Sequence, residues 1–338
     1  MSLRLTIVDH SPVHGTSAPD QAPSNSIVLA KACDGLGYDR FWVAEHHDNV
    51  QFASPCPEIM IGAIAAETKN MRIGSGGIML SHYSPYKVAE TFRLLSTLHP
   101  GRIDLGIGRA PGGTQLASMA LSSPHGPAQV DHFPQQAAEL CAFLWHQFPS
   151  DHPYRNLRCL PDDTPTPEMW MLGSGGGSSS LAGQLGTGLA LAKFILPEQC
   201  TPEIFDNYAR YFNDAGHKHP MQKMLAVAAI CAPTTEEARF LAAPAAYRKA
   251  MARFGPPEPL LTPQQALDKR AGMQARVGAE FDASINSTIC GTPEYCADQL
   301  FAQSREYATN DIALVTVTHG FDSRLRSFRL LAECLGQG

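Results

Sequence analysis

Short apolar runs alternate along this chain with longer stretches whose apolar positions recur at three- and four-residue intervals. The runs Leu3–Val8, Arg40–Ala44, Met71–Gly74, Ile103–Ile107, Glu168–Leu172, Leu189–Ala192, Met224–Cys231 and Ile312–Thr318 read as strands. Between them, helices are predicted over Ser24–Leu36, Glu58–Thr68, Pro85–Leu98, Phe133–Gln147, Ser178–Gln184, Thr201–Ala215, Thr235–Tyr247, Thr292–Tyr307 and Ser323–Cys334. Gly37 closes the first helix, Pro57 opens the second, and Pro100-Gly101 stops the third. Regular β-α alternation implies a parallel sheet. Eight such strands in 338 residues favour a closed (β/α)₈ TIM barrel over an open doubly wound sheet. The chain is read as a single domain over 1–338, with insertions where the rhythm breaks: Ala110–His132, Pro149–Pro167, and Arg253–Ser284, which carries a proline-rich turn and one helix. Long loops on a barrel usually cover the active face or serve assembly.

The chemistry-bearing residues gather where the predicted strands end, the rim at which α/β enzymes build their sites. Phe41-Trp42-Val43-Ala44 stops abruptly on Glu45-His46-His47. Imidazole titrates nearest neutral pH and suits proton transfer, so His46 is the candidate catalytic residue. After the third strand, Gly74-Ser75-Gly76-Gly77 removes side chains and leaves backbone on which a flat ligand can lie. After the fourth, Arg109 stands among glycines in Gly106-Ile107-Gly108-Arg109-Ala110-Pro111-Gly112-Gly113, a guanidinium suited to phosphate or carboxylate. After the fifth, Gly173-Ser174-Gly175-Gly176-Gly177-Ser178-Ser179-Ser180 leads into a helix, where backbone N–H groups and hydroxyls make an anion site. No Lys directly follows these glycines, and the run lacks the GxGxxG order after a first strand, so neither a nucleoside-triphosphate loop nor a Rossmann fingerprint is supported. Together the clusters describe one pocket for a phosphorylated planar cofactor.

Composition narrows the partners. Charged residues are 17% of the chain, which points to an extensive core or to surface buried against another subunit. A net charge of −6 argues against nucleic acid as a main partner. No apolar segment reaches the length needed to span a bilayer, and the N-terminus Met1–Asp9 lacks a signal-peptide pattern. The nine cysteines are scattered without a CxxC pair, which fits neither a zinc site nor a disulfide framework and suits a reducing, cytoplasmic setting.

The ordered series Phe41–His47, Arg72–Leu80 and His99–Gly112, followed by Cys290-Gly291-Thr292-Pro293-Glu294 and the Ser323–Leu335 helix, resembles the bacterial luciferase-like flavin monooxygenases over nearly the whole chain. The resemblance implies a barrel that uses FMN, reduced by a separate reductase, together with O₂ and an unknown small organic substrate. It places His46 beside the flavin, a non-proline cis peptide at Gly76-Gly77 under the ring, the phosphate on Arg109, and the second phosphate loop on Ser174, Gly175, Gly176, Gly177, Ser178 and Ser179. It also implies a homodimer paired through the helices at 58–68 and 85–98, with Glu90 a candidate intersubunit hydrogen-bonding group. Three positions depart from the family pattern. Gly108 stands where luciferase has a reactive cysteine, Gly175 replaces a common phosphate-loop serine, and Lys193 ends the sixth strand where relatives vary. No metal is expected. Two other readings stay open: a dehydrogenase or reductase using FMN or a deazaflavin on the same barrel, and a non-catalytic flavin-binding protein.

Overall fold

The computed structural model describes residues 2–14, 20–123, 131–252, 254 and 258–336. Parts of two predicted insertions, 124–130 and 253 with 255–257, lie outside the described residues. The strands are β1 (Arg4–Asp9), β2 (Arg40–Val43), β3 (Arg72–Met79), β4 (Ile103–Gly108), β5 (Glu168–Gly173), β6 (Gly188–Ala192), β7 (Lys223–Cys231), β8 (Ile289–Gly291) and β9 (Asp311–Val315). The helices are α1 (Gln21–Gly35), α2 (Pro57–Glu67), α3 (Pro85–Leu98), α4 (Gln115–Leu121), α5 (Phe133–Trp145), α6 (Gly177–Leu185), α7 (Glu203–Asp214), α8 (Thr235–Met251), α9 (Pro263–Ala271), α10 (Ala275–Ser287), α11 (Pro293–Glu306) and α12 (Phe321–Leu335).

Eight parallel strands close into a barrel in the order β6-β5-β4-β3-β2-β1-β9-β7, with β6 pairing β7 to complete the ring. This is the predicted (β/α)₈ barrel. β8 is an addition to the eight strands expected. It pairs only with the far end of β7, at Ala229–Cys231, beyond the part of β7 that pairs with β9. Three residues are too short to announce themselves in a pattern of alternation.

Alternation along each strand sorts side chains between two cores. Phe41 and Val43 pack outward beneath the helices with Ile7, Ile73, Leu105 and Leu314, while Trp42 points inward with Trp170, Met224 and Ala313. The two indoles meet at 5.4 Å between ring centroids and fill the barrel. They fit because glycine faces them: a Cβ on Gly188 would lie 2.6 Å from Trp170 Cε3, and one on Gly74 3.0 Å from Trp42 Cδ1. At the N-terminal end of the barrel, Asp104 is buried between Arg40 and Arg72 and accepts the Trp42 indole N–H at 2.9 Å. A charge taken this far from water survives because two guanidinium groups and an indole N–H face it.

Three boundaries differ from expectation for identifiable reasons. β3 runs on through the glycines to Met79, because its backbone stays paired with β4 from Ile73↔Ile103 to Met79↔Gly108, with a register shift between Gly76 and Ile78. Glycine weakens a strand, yet ladder pairing with β4 outweighs propensity here. α8 continues to Met251 although Pro244 lies inside it. The third insertion holds two helices rather than one, α9 started by a capping box at Thr262 and Gln265, and α10 extending to Ser287.

Candidate active site

The C-terminal ends of the strands form the mouth. Just beyond β2 stands Glu45, whose buried carboxylate ties the rim together. Oε1 accepts the Tyr83 hydroxyl at 2.7 Å and pairs with His47 Nε2 at 2.7 Å, while Oε2 accepts the Met79 N–H at 2.9 Å. The His47 N–H donates to the Gly112 carbonyl at 2.9 Å, stitching the loop after β2 to the loop after β4. His47 is thus committed to fixing the rim, and the Tyr83 phenol is pushed well above its ordinary pKa by burial and by its bond to Glu45.

His46 projects differently. Its backbone N–H is held by the Ser54 carbonyl at 3.0 Å, and its ring packs 4.8 Å from Phe52 and 5.1 Å from His10. Its Nδ1 is buried without a hydrogen-bond partner. Burial first, then the positive charge of Arg248, lowers its pKa to about 4, against a smaller opposing pull from Asp9. His46 is therefore a neutral imidazole at neutral pH, able to accept or relay a proton or hydrogen bond.

Next to it lies the glycine shelf. The Gly76-Gly77 peptide is cis. A Cβ on Gly77 would fall 2.7 Å from the Gly106 carbonyl oxygen, and one on Gly106 would fall 2.7 Å from Leu172 Cδ1, so only glycine lets the β3 and β4 backbones approach this closely. Gly76 is half-buried and Gly77 buried, and neither places a side chain on this stretch of backbone.

Arg109, directly after β4, is largely exposed and meets Asp131 at 3.2 Å. The loop between β5 and α6 reaches it: a Cβ on Gly177 would lie 3.8 Å from Arg109 Nη2. Gly175 and Gly176 face open space, with nothing within 4 Å of an added Cβ. Ser174 sits half-buried on the same loop. Ser178 turns its hydroxyl back against Gly173. The Ser179 hydroxyl is buried, donating to the Gly176 carbonyl at 2.7 Å and accepting from Asn207 Nδ2 at 2.7 Å, so it holds the loop's shape. Arg109 and the loop 174–179 thus stand together at the start of α6, and a helix N-terminus offers backbone N–H groups to an anion.

Lys193, after β6, is drawn to α11 instead. Its ammonium donates to Gln303 Oε1 at 2.8 Å and lies 4.6 Å from the Tyr307 ring centroid. Glu90 lies 3.9 Å from Lys87 within its own helix. Three residues of the mouth escaped sequence reasoning: His10, Phe52 and Arg248. His10 carried the same signal as His46, a histidine following the first strand directly. Arg248, within an alanine-rich helix, carried none. A cleft of about 830 Å³ at the opposite end of the barrel, between Trp145, Glu168, Gly186 and His219, holds none of the candidate residues.

The bare shelf, the orphaned imidazole nitrogen and the guanidinium beside an open glycine loop fit a planar ring carrying a phosphate. The sequence profile of the luciferase-like monooxygenases matches residues 1–309. The chain belongs to the luciferase-like monooxygenase family. It is accordingly a flavin-dependent oxidoreductase. This luciferase-like chain is 40% identical over 329 residues to the Bacillus subtilis (strain 168) protein YwcH, covering 97% of this chain and 98% of that one. It is 35% identical over 339 residues to the N-acetyl-S-alkylcysteine monooxygenase of the same organism, covering 98% of both chains. Among solved structures, apo-MsnO8 superposes with a TM-score of 0.86 at 34% identity, covering 99% of each chain. Among the described residues of this luciferase-like protein, no helix is long and apolar enough to cross a membrane, and no three His, Cys, Asp or Glu side chains are grouped to hold a metal ion.

Proposed function

We propose that this protein is a two-component FMN-dependent monooxygenase, acting in the cytoplasm as one luciferase-like domain per chain. Reduced FMN comes from a separate reductase, and one atom of O₂ is placed on a small organic substrate. The observation that carries the reading is the meeting of Arg109 with the loop 174–179 beside the Gly76-Gly77 shelf, since these groups are far apart in order and suit the two ends of one mononucleotide. Arg109 and the backbone of Gly175, Gly176 and Gly177 would hold the phosphate, and Gly76 and Gly77 would carry the ring. Ser174 and Ser178 complete the loop, and Ser179 positions it. When bound, the flavin supplies the electrons that activate oxygen.

The chain's own residues do the rest. His46 is our candidate catalytic residue, a neutral imidazole that takes or returns a proton at Nδ1, where no protein group competes for it. Phe52, Phe194 and Val317 surround the mouth with apolar surface that excludes water from the reacting centre. A homodimer paired through α2 and α3 is supported by the outward apolar residues of those helices: Ile59, Leu94 and Leu98 are each more than half exposed in the single chain. Sedimentation of the purified protein tests the dimer, with Leu94→Glu expected to yield monomer.

The decisive experiment is an anaerobic titration with reduced and oxidised FMN, followed by rapid mixing with oxygen. Tighter binding of the reduced form and an oxygen-dependent absorbance transient support a monooxygenase. Turnover without oxygen, driven by a hydride donor, would establish a dehydrogenase instead. Tight flavin with neither behaviour would leave a binding protein.

A further inference from the structure

Across the mouth from the phosphate loop, a cation stands without an anion. Arg248 projects from α8, the helix after β7, and its guanidinium carbon lies 5.1 Å from the centroid of the Phe52 ring. That ring is the one packed against His46 and His10, so Arg248 faces the candidate reaction centre. Its Nε is buried with no hydrogen-bond partner, and among the described residues no carboxylate pairs with it. The carboxylate that acts on His46 is taken: Asp9 is bound by Arg324 at 2.5 Å and by the Ser11 N–H at 3.2 Å. Neighbouring Lys249 is occupied too, donating to the Phe194 carbonyl at 3.0 Å.

A guanidinium does not shed its proton under these conditions, and a buried unpaired charge destabilises a fold by several kcal/mol. Its field also helps keep both His10 and His46 neutral. The small cleft beside it, about 60 Å³, combines apolar walls from Phe194, Val315 and Val317 with Lys249, Ser284 and Thr288. A positive fork flanked by apolar side chains and a few hydroxyls recognises an amphiphile with an oxyanion at one end.

We propose that Arg248 anchors a carboxylate of the substrate, whose apolar body packs against Phe52, Phe194, Val315 and Val317 and presents its oxidisable atom beside His46. The inference rests on the proposed monooxygenase reading, because it names what that site takes. It concerns a different group from the phosphate-binding one: Arg109 and the glycine loop follow β4 and β5, whereas Arg248 follows β7.

The test measures binding, not turnover. Calorimetric titrations in low-chloride buffer, with and without FMN, compare hexanoate, phenylacetate and 3-(methylthio)propanoate with their uncharged amides. At least one acid is expected to bind about tenfold more tightly than its amide. Arg248→Met should erase that preference, and Arg248→Lys should restore part of it, while FMN affinity stays within about twofold of the unaltered protein. The proposal is overturned if no acid is preferred in the unaltered protein, if the preference survives Arg248→Met, or if that variant loses FMN about tenfold. Should Arg248→Met fail to fold by circular dichroism, the acid–amide comparison in the unaltered protein and Arg248→Lys still decide. Failure of the unaltered protein to bind FMN would instead defeat the monooxygenase reading, whatever the acids do.

Discussion

Replacing Arg109 with Ala removes the guanidinium that stands beside the glycine loop. A hydrogen bond to a charged group is worth about 1.5–3 kcal/mol. Arg109 is 63% exposed, so solvent screening places the loss at the low end, about 1.5 kcal/mol or roughly tenfold in Kd. Asp131 supplies an internal control. At 3.2 Å it competes with a phosphate for the same guanidinium, and an exposed pair of this kind contributes about 0–1 kcal/mol. Asp131→Asn should therefore tighten FMN binding, by up to about fivefold. Asn still accepts the Phe133 N–H that Asp131 Oδ1 accepts at 3.1 Å, so the start of α5 is preserved. Quenching of flavin fluorescence gives both constants, and raising the salt should shrink both effects. An unchanged Kd in Arg109→Ala, or weaker binding in Asp131→Asn, would refute the phosphate assignment.

His46→Ala is expected to leave FMN affinity near its starting value and to lower oxygenation by about 10²–10⁴-fold, the usual worth of general acid–base catalysis; equal rates in coupled assays would remove His46 from the chemistry. Stability should fall as pH drops from 6.5 towards 4. The His46 imidazole stays neutral in the fold down to about 4 while the unfolded chain takes up its proton near 6.5, so protons drive unfolding in that window. The slope is at most about 1.4 kcal/mol per pH unit for each such imidazole, and the gap between urea midpoints at pH 5 and 7 should narrow in His46→Gln, with His10 and His14 keeping the remainder. Gly106→Ala drives a methyl into the β3 backbone at Ser75 and to 2.7 Å from Leu172 Cδ1, so it should cost about 1–3 kcal/mol and disable FMN binding. Gly175→Ala meets open space and should stay within about 0.5 kcal/mol of the starting stability by thermal melt.

The barrel was legible because its cause is local and repeated. Strand runs such as Phe41–Ala44 and Ile103–Ile107 alternate with helical stretches, and parallel strands joined by helices have few ways to close. Glycine signatures were legible for a related reason: a run of residues lacking side chains marks close backbone approach wherever the chain later folds. The sequence alone therefore determined the architecture and the strand-end rim, and offered His46, Gly76, Gly77 and Arg109 as candidates on it. What it lacked was environment. Nothing in the string Glu45-His46-His47 shows that Tyr83 and Met79 converge on Glu45 together with His47, while Nδ1 of His46 is left without a partner. Nor does it show that Ser179 turns inward to Asn207, or that Lys193 turns away to α11. Arg248 is the extreme case. An arginine in an alanine-rich helix reads as a surface residue, and becomes an unpaired charge at the barrel mouth only because α8 packs that face against Phe52. Propensity and periodicity act over neighbouring residues, whereas desolvation and charge pairing depend on groups brought together from distant parts of the chain, so only the tertiary structure could decide them.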